Sequence, residues 1–315
     1  MNTARKPFTS KSVDGWSIVF TGLSGFCTYL IIAILFLILG NIVWNGAPYF
    51  SLRFLTSGVD AGMFNVAKSG VFPMVVGTAA RVFLMTIFVI PVGVITALYM
   101  TEYSRSNSVI IRLIRGAVNN LAGVPSIVFG LFGLGFFINF LGQNMDALMN
   151  PATAQAVWGK PSLLWASMTL AVMTLPVVIV ATEEALKSIP PGLREASLAL
   201  GATKLQTVIK VVLPQALPGI LTGGILAISR AAGEVAPILF TGAAFSIQGL
   251  PTNLTDQFMD LAYHVFILST QSPNIEQTRP LLYATVMALL LLTFVLNIAA
   301  IIVRSRIRRR MRSFR

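Results

Sequence analysis

Charge is scarce in this 315-residue chain. Asp, Glu, Lys and Arg together make up 11% of it, where a soluble globular domain carries about 25%. A globule of this size cannot be covered with solvated side chains from so small a supply, and 55% of the residues are hydrophobic. Cysteine occurs once, at Cys27, which excludes an intrachain disulfide and any cluster of thiolate metal ligands. Histidine also occurs once, at His264, which excludes the His-pair zinc motifs and argues against a Ser-His-Asp triad. No Gly-x4-Gly-Lys-Ser/Thr is present, so the loop that cradles nucleotide phosphates is missing. The chain is expected not to be an enzyme, and any ATP it depends on must be hydrolysed by another subunit. The charges that do occur are lopsided, 23 basic against 11 acidic, for a formal net charge of +12. These absences leave an all-α integral membrane protein as the expectation.

A bilayer core is crossed by about 20 apolar residues in a helix, and charge-free stretches mark six such spans. The first has its core at 30–43 inside a gap that runs from 15 to 52. That gap is too long for a signal peptide, whose apolar region is about 7–15 residues. The others fall at 71–100, 117–141, 161–182, 217–241 and 280–303, the fifth interrupted by Arg230 and Glu234. Proline and glycine punctuate them at Pro73, Pro91, Pro125, Pro176, Pro218 and Pro237, which membrane helices tolerate because neighbours satisfy the freed backbone groups. No linker divides the membrane part. The expected organisation is an N-terminal segment, first span and outer loop at 1–69, a permease domain at 70–303, and a basic tail at 304–315.

Orientation follows from the placement of Lys and Arg. One set of segments holds Arg5, Lys6, Lys11, Arg105, Arg112, Arg115, Lys187, Arg194, Lys204, Lys210, Arg304, Arg306, Arg308, Arg309, Arg310, Arg312 and Arg315. The alternate segments hold only Arg53, Lys68, Lys160 and Arg279. Seventeen against four puts both termini in the cytoplasm. The Arg-rich tail is read as a stop-transfer signal that meets lipid headgroups, not nucleic acid.

The loop at 183–214 is the one substantial polar stretch on the inner side. Pro190-Pro191-Gly192 stops one helix and starts another. Leu193, Ala196, Ala199 and Leu200 recur at helical spacing, and Gly201 ends that helix. A second short helix is expected over 204–212, with Leu205, Val208, Ile209 and Val212 on one face. From pattern alone this is either an interfacial hairpin that completes the fold or a docking element for a soluble partner. Glu195-Ala196-Ser197, three residues, Gly201, nine residues, then Val211-x-Leu213-Pro214 resembles the EAA loop of ABC importer permeases, EAA-x3-G-x9-I-x-LP. Ser197 stands where the family has Ala, and Val211 where it has Ile. The resemblance implies a type I ABC importer permease fold, with Glu195, Ala196, Ser197, Gly201, Leu213 and Pro214 forming the loop that couples to the ATPase subunit.

Arg230 and Glu234 lie one helical turn apart. Placing a charge mid-membrane costs about 2.5–3.5 kcal/mol on insertion scales. The pair therefore either neutralises itself or lies on a substrate pathway, where a guanidinium suits an oxyanion. The surrounding Leu226-Ala-Ile-Ser-Arg-Ala-Ala-Gly-Glu-Val-Ala-Pro-Ile-Leu-Phe-Thr241 resembles the fifth helix of PstA-type phosphate permease subunits, with Val235 in place of the usual Thr. Val124-Pro-Ser-Ile-Val-Phe-Gly-Leu-Phe-Gly133 is similar to their third-helix signature. The resemblance spans about 70–303. It implies a permease subunit that moves inorganic phosphate across the bacterial cytoplasmic membrane by alternating access, with Arg230 and Glu234 on the pathway. Permeases for sulfate or molybdate remain the alternative, and an ion-coupled secondary transporter is a remoter one.

The same resemblance implies the partners: a second, PstC-like permease, two ATPase subunits that use ATP and Mg, and a periplasmic phosphate-binding protein. The chain itself is expected to bind no cofactor and no metal. Two further residues are left open. Arg81, near the outer end of the second span, either snorkels to the surface or widens the anion path. The apolar run at 257–268 is too short to span and reads as an interfacial or re-entrant helix, a docking candidate on the outer side, with His264 a structural or interfacial residue and not a ligand.

Overall fold

The computed structural model describes residues 15–59, 64, 69–104, 108–149, 156–247 and 249–312. The basic markers Arg5, Lys6, Lys11, Lys68, Arg105 and Arg315 lie outside the described residues. Among the described residues, six helices are long and apolar enough to cross a membrane: Gly15–Tyr49, Phe72–Tyr103, Ser126–Met149, Leu163–Lys187, Lys204–Ala232 and Ile275–Arg309. Among the described residues there is no β-strand, only an isolated bridge between Ala243 and Phe258.

The fourth span is the hub. Its most apolar stretch is 67% buried within the chain, against 0% for the first span. Met85 and Val89 of the second span, Phe129 of the third, Leu170, Met173 and Val178 of the fourth, and Ala227 and Ala231 of the fifth form one apolar core. In lipid, association rests on close backbone approach more than on hydrophobic drive, and the fourth and fifth spans show it. A Cβ on Gly219 would come within 2.4 Å of the Ala185 methyl, and one on Gly223 within 2.5 Å of the Ala181 methyl. Two small residues four apart on one helix thus nest against two on the other. Two buried hydroxyls of the fourth span bond within their own helix: Ser167 donates to the Leu163 carbonyl at 2.7 Å and Thr174 to that of Leu170 at 2.8 Å. The first span lies at the periphery, with Trp16, Phe20, Phe26 and Tyr29 exposed along it. It meets the sixth span at Gly46, beside Tyr283 and Met287.

Three expected boundaries are corrected. Residues 117–122 do not belong to the third span. They end a separate amphipathic helix, Val109–Ala122, which buries Ile111 and Val118 and exposes Val109, Ile110 and Leu113. Gly123 and Pro125 separate it from the span that starts at Ser126, because proline disfavours helical backbone at the residue before it. The short helix expected over 204–212 is not a separate unit. A capping box starts it, Thr203 Oγ1 accepting from Gln206 N and Gln206 Oε1 from Thr203 N. It then runs through a wide π-helical turn, Val208–Val212, straight into the fifth span. Pro214 has no N–H to return to the preceding turn, and widening accommodates that loss without a break. The fifth span, expected to reach 241, ends at Ala232.

Candidate functional site

The end of the fifth span is built from its own missing donors. Gly233 takes the cap position, and Pro237 has no N–H to give the Gly233 carbonyl. The chain leaves the helix there and folds through short turns, Ile238 N donating to Val235 O at 3.1 Å and Gly242 N to Ile238 O at 3.1 Å. Arg230 and Glu234 still meet across this break. Arg230 Nε donates to Glu234 Oε1 at 3.3 Å, with side chains 48% and 21% exposed. The structure therefore brings the two expected residues together, with Glu234 on the turn beyond the helix. Val235 follows on the same turn, half-buried.

Arg81 neither snorkels nor lines an open path. Its side chain is 0% exposed and ion-paired with Asp260, also 0% exposed, at 2.8 Å. Nε donates to Asp260 Oδ2 at 3.0 Å, Nη1 to the Ala231 carbonyl at 2.9 Å and Nη2 to that of Ala232 at 3.3 Å. Asp260 in turn accepts from Thr78 Oγ1 at 2.9 Å, Ala262 N at 2.9 Å and Tyr263 N at 3.1 Å. It is the N-cap of the short helix Leu261–Thr270. The guanidinium sits at a negative helix end and the carboxylate at a positive one, so each charge also meets a favourable dipole.

The outer helix Leu261–Thr270 buries Leu261, Ile267 and Leu268 against Met74 of the second span and Ala284 and Ala288 of the sixth. His264 is buried in it, with neither ring nitrogen hydrogen-bonded.

On the opposite side, the helix Pro191–Ala199 carries the Glu-Ala-Ser motif. Glu195 and Ala196 are exposed and Ser197 is half-buried. The helix closes with Gly201 N on Leu198 O at 3.0 Å and Ala202 N on Ser197 O at 3.2 Å, the two bonds of a Schellman motif. Gly201 has φ +83°, a conformation that side-chain-bearing residues resist. Ser197 Oγ lies 2.9 Å from Thr207 Oγ1, so the departure from alanine adds a bond across the turn. Leu213 and Pro214 are half-buried at the start of the fifth span proper.

Sequence reasoning missed Arg194 as anything beyond an orientation marker. Its guanidinium donates to Glu102 Oε1 at 2.7 Å and to the carbonyls of Leu186 and Ile189, each at 2.9 Å. One side chain thus joins the motif helix to the ends of the second and fourth spans. Lys204 adds a cation–π contact, its Nζ 5.3 Å from the Tyr103 ring centroid. Arg115 and Lys187 share Glu183 Oε1 at 2.6 and 2.7 Å, fastening the amphipathic helix to the fourth span. A basic residue beside the Glu-Ala-Ser motif was the visible signal. Its partner Glu102, 92 positions earlier, was not.

Six spans, an inner motif helix clamped to two of them and a broken fifth span define a membrane permease with the type I ABC importer fold. Comparison with known proteins agrees. The chain belongs to the family of binding-protein-dependent transport system inner membrane components, whose model matches residues 89–313, and is a multi-pass inner-membrane protein. It is 34% identical over 263 residues to the probable ABC transporter permease protein YqgI of Bacillus subtilis, covering 80% of this chain and 82% of that one. It is 31% identical over 259 residues to the probable phosphate transport system permease protein PstA of Methanocaldococcus jannaschii, covering 82% and 83%. With PstA of Yersinia pestis it shares 33% over 237 residues, covering 75% and 72%. In fold it matches a chain of a bacterial ABC transporter involved in import of the acidic polysaccharide alginate, with TM-score 0.63 and 14% identity over 92% of this chain and 98% of that one. A chain of the MetNI methionine ABC transporter matches with TM-score 0.51 and 22% identity, over 76% and 94%.

Proposed function

We propose that this chain is the membrane-spanning permease subunit of an ATP-driven importer of inorganic phosphate. The observation that carries the reading is the Arg230–Glu234 pair. It is a guanidinium 48% exposed at the end of the fifth span, tempered by one carboxylate at 3.3 Å. A charge left that open cannot rest against lipid without a cost of about 2.5–3.5 kcal/mol or more, so it faces a water-filled path. The likeness to phosphate permeases named PstA in three genera supports phosphate as the anion. A fixed cation offsets the desolvation of an oxyanion, and the neighbouring carboxylate keeps the site weak enough to release it.

A path along one face of a lone helix bundle needs a second wall, which a related PstC-like permease would supply. Two ATPase subunits would dock on Glu195, Ala196, Ser197 and Gly201 and use ATP and Mg, since this chain has no phosphate-binding loop. A periplasmic phosphate-binding protein would deliver the anion from outside. Closure of the ATPase pair would push the motif helix, and the spans would rock to turn the path from outward to inward.

Affinity purification in detergent followed by reconstitution with the co-purified subunits tests this. ATP-dependent uptake of radiolabelled phosphate that excess sulfate does not displace is the expected result. Uptake displaced by sulfate would assign another oxyanion, and transport without any co-purified ATPase would overturn the class.

A further inference from the structure

The fifth span stops at Ala232, and something must keep it stopped. A continued helix would pair the Ala231 carbonyl with the N–H of Val235 and the Ala232 carbonyl with that of Ala236. Both carbonyls instead accept from one side chain, Arg81 Nη1 at 2.9 Å on Ala231 and Nη2 at 3.3 Å on Ala232, and the Ala231 carbonyl also accepts a turn bond from Glu234 N at 3.3 Å. Val235 and Ala236 lie in the turns that bring the chain back, and Glu234, just before them, reaches Arg230 from the turn side. Both terminal carbonyls are buried with their residues, so no bulk water competes for them.

We propose that Arg81 is a positioning residue for the Arg230–Glu234 anion site. It holds the fifth span in the broken form that sets Glu234 against Arg230, and it links that break to the outer helix through Asp260. The inference rests on the reading of Arg230 and Glu234 as the pathway site. Geometry separates Arg81 from the anion itself, since its charge is spent on Asp260 at 2.8 Å and both side chains are 0% exposed. One guanidinium is therefore offered to the anion and the other to the backbone. Asp260 fixes the donor fork from behind while its second oxygen caps the outer helix at Ala262 and Tyr263. A shift of that helix is transmitted to the carbonyls of Ala231 and Ala232 through a single side chain. The planar fork matters because three separate nitrogens reach Asp260 and the two carbonyls, whereas an ammonium donates from a single point.

The test uses the complete transporter in proteoliposomes, with inorganic phosphate as the probe and uptake expressed per ATP hydrolysed. Arg81→Lys keeps the charge pair and loses the fork, and Arg81→Met with Asp260→Leu removes the pair while leaving no unpaired charge. Both should assemble to within twofold of the parent, and phosphate moved per ATP should fall about fivefold for the first and tenfold or more for the second. A merely structural pair would lower assembly and leave that ratio unchanged. An unchanged ratio in either assembled variant, or failure of both to assemble, would overturn the proposal. Arg230→Gln run in parallel separates the two layers. If it transports normally, the pathway reading itself fails. If it abolishes uptake while the Arg81 variants keep their ratio, only the positioning role fails.

Discussion

Arg194 and Glu102 join the motif helix to the second span, with Nη2 to Oε1 at 2.7 Å and side chains 22% and 9% exposed. The same guanidinium holds the Leu186 carbonyl at the end of the fourth span and the Ile189 carbonyl just beyond it. All three nitrogens of that side chain donate, so a displacement of the Pro191–Ala199 helix pulls on both spans. This is a joint of the kind that a coupling mechanism needs, since force entering a surface helix reaches the hub of the bundle by direct contacts.

Arg194→Leu should therefore uncouple the machine and not dissolve it. Uptake per ATP hydrolysed should fall at least tenfold while the ATPase still co-purifies, because Glu195 and Ala196 remain exposed for docking. Loss of co-purification together with uptake would show that Arg194 supports the docking surface and not the joint.

The turn at Gly201 predicts an order among substitutions. No heavy atom lies within 4 Å of a Cβ built there, and φ is +83°, so the penalty comes from the backbone alone. Left-handed backbone costs roughly 1–2 kcal/mol for ordinary residues and less for Asn. Co-purified ATPase should decline in the order Gly, Asn, Ala, Val, with Gly201→Asn near the parent. Equal behaviour of Gly201→Val and the parent would mean the turn is not needed for docking.

Removing one member of the Arg81–Asp260 pair should be worse than removing both. Arg81→Met strands a buried carboxylate, a loss of about 3–5 kcal/mol, whereas an apolar replacement of a whole buried pair is often neutral. The thermal midpoint in detergent should drop for the single variant and recover when Asp260→Leu is added. A further drop on adding it would contradict the pairing.

In the outer loop, Asp256 has its pKa held below the usual carboxylate range, first by the Asn253 N–H and then by Thr252. A carboxyl depressed in the fold stabilises it above the unfolded value of about 3.9, and that contribution is lost only as pH falls through the lower folded value. The turn at 252–256 should keep its hydrogen-exchange protection, corrected for intrinsic rates, equally at pH 7 and pH 5. Asp256→Asn should lower protection at both. A parent loop that opened between pH 7 and 5 would contradict the assignment.

Much of this fold was readable from its residues, and for identifiable reasons. Span count follows from runs of apolar side chains that lipid demands, and Gly201 was readable because left-handed turns demand glycine. The Arg230–Glu234 contact follows from four-residue spacing. What escaped the sequence depends on partners far along the chain. Arg81 and Asp260 lie 179 positions apart, and no local pattern pairs them. The end of the fifth span at Ala232 escaped for the same reason, since Gly233 and Pro237 weaken the helix but a distant arginine supplies the cap. Continuity of 204–212 with the fifth span was hidden by Pro214, which reads as a break and produces only a wide turn.

The central claim is that the Arg230 guanidinium serves the anion directly on its path. Phosphate uptake by the reconstituted transporter with Arg230→Gln measures it most directly. The account predicts intact assembly with uptake reduced at least a hundredfold, whereas uptake within twofold of the parent in the assembled complex would contradict it.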